Sequence, residues 1–148
     1  MRRTPATLIA VAAAASLVTA AVIASVGSAQ APTTVSLHLI SKSQKGIGFG
    51  GNGRPHQGDR FGFGDKVTGD DTGTDRGECT FIGTQALCTV VVRLSKGTLT
   101  GTGTLSERSS NAPFPVTGGT GAYDGAHGTV LITDVNSSTT DLKFTLKL

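Results

Sequence analysis

From residue 30 onward the chain carries no apolar stripe with helical spacing. Short two-residue alternation recurs instead, broken by Gly, Asn, Asp and Ser. A chain that can bury only every second side chain builds sheets, not helices. The C-terminal segment shows this best: Leu142, Phe144, Leu146 and Leu148 alternate with Asp141, Lys143, Thr145 and Lys147. Val35, Leu37 and Leu39 share one face of a first strand. Phe61, Phe63 and Val67 share one face of a second, and Cys88, Val90, Val92 and Leu94 one face of a fourth. Weaker strand patterns cover 98–105, the surroundings of 114–116, and 129–135. About eight short strands result, an all-β domain. Such strands can stack as a sandwich or close into a barrel; closure removes both edges. Gly101 and Gly103 suit the tight coiling of barrel corners.

Cys79 and Cys88 are the two cysteines of the chain. If Gly83-Thr84 form a two-residue type II′ turn, then 82 faces 85 and 79 faces 88. The alternation of the ladder makes 79:88 a non-hydrogen-bonded pair, where Cα atoms come closest and a disulfide fits. Closing so short a loop contributes about 2.5–3 kcal/mol.

Residues 1–29 read as a cleavable signal peptide. Arg2 and Arg3 form the charged start, an apolar Ala/Val run follows, and Gly27-Ser28-Ala29 places small residues before Gln30. The alternative is an uncleaved membrane anchor. Cleavage predicts a secreted domain over 30–148 with no stable membrane insertion, in a compartment where disulfides persist. Without the two leader arginines, 11 basic residues face 10 acids. With no basic cluster, one Tyr and no Trp, nucleic-acid binding is not expected.

Gly46, Gly48 and Gly51 spell a G-x-G-x-x-G, but Arg54-Pro55 follows where a nucleotide fold needs a helix. The run 46–53 reads as a flexible loop, and no cofactor is expected. Three scattered histidines, His38, His56 and His127, lack metal-ligand spacing, so no metal is expected either. Asp70-Asp71-Thr72-Gly73-Thr74-Asp75 lacks the ligand pattern of a calcium loop and reads as a solvated turn. No nucleophile motif appears, and catalytic residues stay unknown.

One stretch is more specific. The segment from Phe114 to Gly128, with Val116-Thr117-Gly118-Gly119-Thr120-Gly121-Ala122-Tyr123-Asp124-Gly125-Ala126-His127-Gly128 at its core, resembles the V-T-G-G-[ST]-G-x-[FY]-x-G-A-x-G signature of allene oxide cyclase and dirigent barrels. Gly58-Asp59, Phe63 and Asp65-Lys66 resemble the cyclases' Gly-Asp-x-x-x-Phe-x-Asn-Lys strand, and Gly77-Glu78-Cys79 their Gly-x-Cys. The closing Phe144-Thr145-Leu146-Lys147 resembles their last strand. Read directly, the glycine run lets the backbone pass closely through φ > 0, so that Tyr123 and Ala126 form a short plug before the next strand.

The resemblance implies a closed eight-stranded antiparallel barrel, calycin-type, in a bacterial-type secreted form, with a lumen that holds one small apolar ligand. It implies an isomerase or cyclase, if an enzyme at all, or a dirigent-type guide of stereochemistry. The alternative is a non-catalytic extracellular binding or structural module on the same barrel; either is compatible with a homo-oligomer. The plant cyclases carry a carboxylate and an Asn on strand one, whereas 33–41 has neither, and His38 is its sole ionisable group. Dirigent proteins carry an Arg where this chain has His127. The candidate ligand-binding residues are Asp59 near one mouth, Phe61 and Phe63 on the wall, and His38, which faces either the lumen or the surface.

Overall fold

The computed structural model describes residues 31–49, 56–106 and 111–148; the expected leader over 1–29 and its cleavage lie outside them. Eight strands follow in order: β1 (Thr34–Phe49), β2 (Arg60–Gly69), β3 (Gly73–Ile82), β4 (Gln85–Leu94), β5 (Gly97–Ser106), β6 (Asn111–Gly121), β7 (His127–Asn136) and β8 (Thr139–Lys147). Each pairs antiparallel with the next. β1 closes onto β8 from Thr34↔Lys147 to Lys42↔Thr139, so the sheet is a barrel and not a sandwich. Period-two burial sorts the side chains. Leu37 and Leu39, Val67, Leu99, Phe114 and Val116, and Leu142, Phe144 and Leu146 point inward and are buried.

β1 is longer than the sequence suggests. Residues 46–49, read as loop, pair with β2 from Gly46↔Phe63 to Phe49↔Arg60, after a register shift between Ser43 and Lys45. The Gly-Ile-Gly-Phe sequence is itself a two-residue alternation, and an adjacent strand is available to pair with it. Residues 50–53 of that run lie outside the described residues.

The β3–β4 hairpin has the expected register, Ile82↔Gln85 and Cys79↔Cys88. Gly83 takes φ +65° while Thr84 stays negative, the sign pattern of a type II′ turn. The cysteines are disulfide-bonded, with Cα atoms 4.1 Å apart. Both are buried on the inward face, so the bridge is part of the core.

One end of the barrel is sealed by Asp71. The turn around it is only partly solvated: Asp70 and Thr72 are exposed, but Asp71 is only 5% exposed. Its carboxylate accepts backbone N–H bonds from Thr72 (2.7 Å), Ser95 (3.3 Å) and Lys96 (3.3 Å), and hydroxyl bonds from Ser95 and Tyr123, the latter at 3.0 Å. The β2–β3, β4–β5 and β6–β7 connections thus meet on one group. The Ser95 hydroxyl bond dominates; against the opposing effect of burial, the Thr72, Tyr123 and Lys96 bonds join it to hold the carboxyl below the usual range. Burial, aided by Asp71, pushes the Tyr123 phenol up to about 12. Tyr123 and Ala126 are buried in the β6–β7 turn, the plug read from the glycine-rich motif.

Reducing the disulfide should lower the thermal midpoint by roughly 10 °C, the effect of about 2.5–3 kcal/mol on a domain of this size. Free thiols in untreated protein would contradict the bridge. Gly121 has φ +67°, and a Cβ there would stand 2.6 Å from the Lys96 carbonyl oxygen. Gly121→Val should therefore cost more than about 1 kcal/mol in denaturant unfolding. Gly125→Asn, also at positive φ but with open space around it, should cost much less.

Candidate functional site

Toward the opposite end the barrel is hollow. A cavity of about 230 Å³ lies between the strands, walled by Phe63, Val90, Val92, Phe114, Val130, Ile132, Leu142 and Phe144 among others. Small residues leave this space. Phe63 sits across Gly77 of β3, where a Cβ would collide with its ring; at Gly101 of β5 a Cβ would meet the Pro115 carbonyl and the Phe114 ring, and at Gly103 the Pro115 ring, with Phe114 close by.

Three polar side chains interrupt the apolar wall at one place. Asp65 continues the inward face of Phe61, Phe63 and Val67 on β2. Asp75 continues the face of Cys79 and Gly77 on β3. The ladder pairs Asp65 with Asp75 directly, so two carboxylates share one face. The Ser41 hydroxyl, from β1, donates to Asp65 Oδ2 at 3.1 Å. Asp75 is 4% exposed. Asp65 Oδ1 and Asp75 Oδ1 are buried and have no hydrogen-bond partner, a costly state for a carboxylate oxygen. Burial accordingly pushes the Asp75 carboxyl up to about 6; the nearby Ser41 hydroxyl offsets part of the rise and the Asp65 charge adds to it.

The lumen communicates with a polar hollow of about 390 Å³ at the β7–β8 hairpin, which includes Ser43, Asn136 and Ser138. Asp65, Asp134 and Thr140 line both spaces.

Of the residues expected from sequence, Phe63 lines the cavity and Phe61 does not; Phe61 packs on Phe81 with ring centroids 5.4 Å apart. Asp59 lies in the turn before β2, at the open end but outside the lumen. Its carboxylate accepts the His56 N–H at 2.8 Å, the local bond that holds the turn. His38 is on the outer face, because Leu37 and Leu39 take the inner one. Its ring meets Asp141 at 2.6 Å, and its side chain is 55% exposed. Burial alone would raise the Asp141 carboxyl, but bonds from His38 and Lys143 outweigh it and hold the group low. His127 is exposed. Ser41, Asp65 and Asp75 were not singled out from sequence. Their signal was the alternation itself: a face defined by Phe61, Phe63 and Val67 includes 65, and a face through Cys79 includes 75.

An eight-stranded barrel closed β1 to β8, plugged at one end by a glycine-rich turn and hollow at the other, defines the allene oxide cyclase/dirigent type of fold. The comparisons agree. A pyocyanin demethylase superposes with TM-score 0.66 at 23% identity, covering 76% of this chain and 99% of its own. AbnU, an exo-specific intermolecular Diels-Alderase, gives TM-score 0.71 at 12% identity, covering 80% and 99%. The pterocarpan synthase dirigent protein GePTS1 gives 0.65 at 14%, covering 89% and 98%. No protein-family model matches the chain, and no curated protein matches it in sequence.

The carboxylates predict an unusual pH profile of stability. Asp75 holds its proton more tightly folded than unfolded between its ordinary value of 3.8 and about 6. Stability therefore falls as pH rises through that window, by up to about 3 kcal/mol. Asp71 has the opposite sign: its contribution is present above its ordinary value of 3.8 and is lost as pH falls below it. The thermal midpoint should rise from about pH 7 to about pH 4.5 and then drop. Asp75→Asn should raise the neutral-pH midpoint and flatten the upper limb. A flat profile over that limb in the unaltered protein would contradict the buried, protonatable Asp75.

Proposed function

We propose that this chain is an exported protein whose barrel lumen takes up one small, mostly apolar molecule and constrains its conformation, as an isomerase or cyclase or as a guide of stereochemistry. One observation carries this reading: the hollow part of the lumen is lined by two carboxylates, Asp75 buried and Asp65 half-buried, each with a buried oxygen that lacks a partner. A packed core would have no use for them. An apolar pocket with a few convergent polar groups is the usual form of a small-molecule site. Asp75, with a carboxyl raised to about 6, is suited to lend a proton to a substrate oxygen near neutral pH and take one back. The walls would supply orientation, which by itself removes much of the barrier to a cyclisation. Among the similar structures, the names of an exo-specific Diels-Alderase and a dirigent pterocarpan synthase support a stereochemical role. Export is supported by the leader-like 1–29 and by the disulfide.

A fluorescent apolar probe should bind at one site per chain. Val90→Phe, which fills the lumen, should abolish binding while Leu87→Ala, on the exposed face of the same strand, leaves it unchanged. A polyene or epoxide that cyclises in the presence of the protein should give product with enantiomeric excess. Binding without turnover would reduce the reading to a carrier. Failure of every probe would leave a structural module.

A further inference from the structure

Among the described residues, the charge inside the barrel has one sign. Asp65 and Asp75 face the cavity, and Asp134 stands where the cavity meets the outer hollow. Among the described residues, no Lys or Arg lines either space. Among the side chains described, the basic residues of the neighbouring strands, Lys42, Arg60, Lys66, Arg76 and Arg93, are exposed. The groups that face Asp75 are Asp65 from β2, Ser41 from β1 and Val92 from β4, with Phe114 and Leu142 lining the same cavity. Nothing cationic is among them. Asp75 is buried, and an oxygen of each member of the pair is unpartnered.

We propose that the lumen selects an organic cation, a flat apolar amine or heteroaromatic cation of one or two fused rings, seated with its charge at Asp65 and Asp75. This rests on the reading of the lumen as a ligand site and names the ligand class. Two like charges in a mostly apolar cavity repel each other, and a cation between them removes that repulsion and completes both carboxylates. The size agrees: a cavity of ~150 Å³ suffices for benzene, and this one is about 230 Å³. A bare metal ion fits poorly, since hard cations take six or more oxygen ligands and most of this wall is hydrocarbon. An apolar cation uses both the wall and the acids. Asp65 and Asp134 at the entry would also draw a cation inward.

Linkage gives the proposal a sign. A cation favours the ionised pair, so its affinity rises as pH rises through the window where Asp75 loses its proton. A neutral ligand of the same shape shows the reverse or no trend, because it gains nothing from the ionised acids.

The test is calorimetric titration of the intact chain with three probes of one skeleton: 1-naphthylmethylammonium, 1-naphthalenemethanol and 1-naphthoate. Titrations at about pH 5 and about pH 7.5, at fixed ionic strength, bracket the transition. At the higher pH the ammonium should bind at least about tenfold tighter than the alcohol, with the preference shrinking at the lower pH. Asp65→Asn and Asp75→Asn should each weaken the ammonium by at least about tenfold and leave the alcohol within about threefold. These variants also exclude binding to the apolar leader segment, which they do not touch. If either fails to fold, the pH trend in the unaltered protein decides. An alcohol or naphthoate that binds as tightly as the ammonium overturns cation selection and leaves the lumen site standing. Failure of all three probes overturns the lumen site itself, and cation selection with it.

Discussion

Closure of β1 onto β8 is the constraint from which the other features follow. Once eight strands share a ring of hydrogen bonds, strand number and stagger set the internal width, and the chain cannot collapse to fill a gap. What occupies the interior is then a matter of side-chain size at each inward position. At one end Leu39, Val67, Leu99 and Leu146, all essentially unexposed, fill the ring, and Tyr123 caps it. Toward the other end the inward positions include Gly77, Gly101 and Gly103, beside Ser41, Asp65 and Asp75. Gly77 and Gly101 leave room beside them for the rings of Phe63 and Phe114, which line the cavity without filling it. A hollow lumen follows from closure plus small inward residues; no lid or second domain is needed to form it.

The two ends use the same side chain in opposite ways. Asp71 is surrounded by donors from three connections and is held ionised. Asp75 has few donors, an acid for a neighbour and a raised carboxyl. The first ties separate turns together, because every donor gains from a fixed negative charge. The second leaves bonding capacity directed at empty space. Burial is similar for both, at 5% and 4% exposure. Hydrogen-bond supply, not depth, separates the carboxylate that ties turns together from the one left with an unpartnered oxygen.

Legibility in the sequence divides along the range of the interactions. Local patterns were readable: the β3–β4 register needs only a turn type and counting, and β8 is a clean alternation. The plug at Tyr123 follows from a glycine-rich run of specific spacing. The choice between sandwich and barrel was not local, since it depends on Thr34 meeting Lys147 across nearly the whole chain, and the resemblance supplied it. The site residues were half readable. Asp65 and Asp75 lie on faces that Phe61, Phe63 and Cys79 define, but their chemistry suggested water. For Asp70 to Asp75 that inference holds at Asp70 but fails at Asp71, which donors from three turns surround, and at Asp75, which strand alternation on β3 turns into the lumen. His38 and Asp59 stood out for their chemistry, yet strand alternation puts the first outside and a local turn bond occupies the second.

The placement of the disulfide connects stability to the site. Cys79 and Cys88 join β3 and β4, the two strands that carry Asp75, Gly77, Val90 and Val92 along one side of the lumen. A buried acid pair with unmatched oxygens pushes its strands apart or invites water between them, and both responses would loosen the wall. Asp75 is four residues from Cys79, on the same face of β3, and Val90 is two from Cys88. A covalent tie there fixes β3 to β4 on the flank away from the acid pair, which sits at the β2–β3 seam. Ladder pairing with β2 holds the other side through Asp65 itself. The strand that bears the least comfortable residue in the barrel is thus restrained on both flanks, which keeps the polar pair fixed relative to the apolar wall. A site of this kind works only if that geometry persists when the lumen is empty, and here the bridge contributes to it directly.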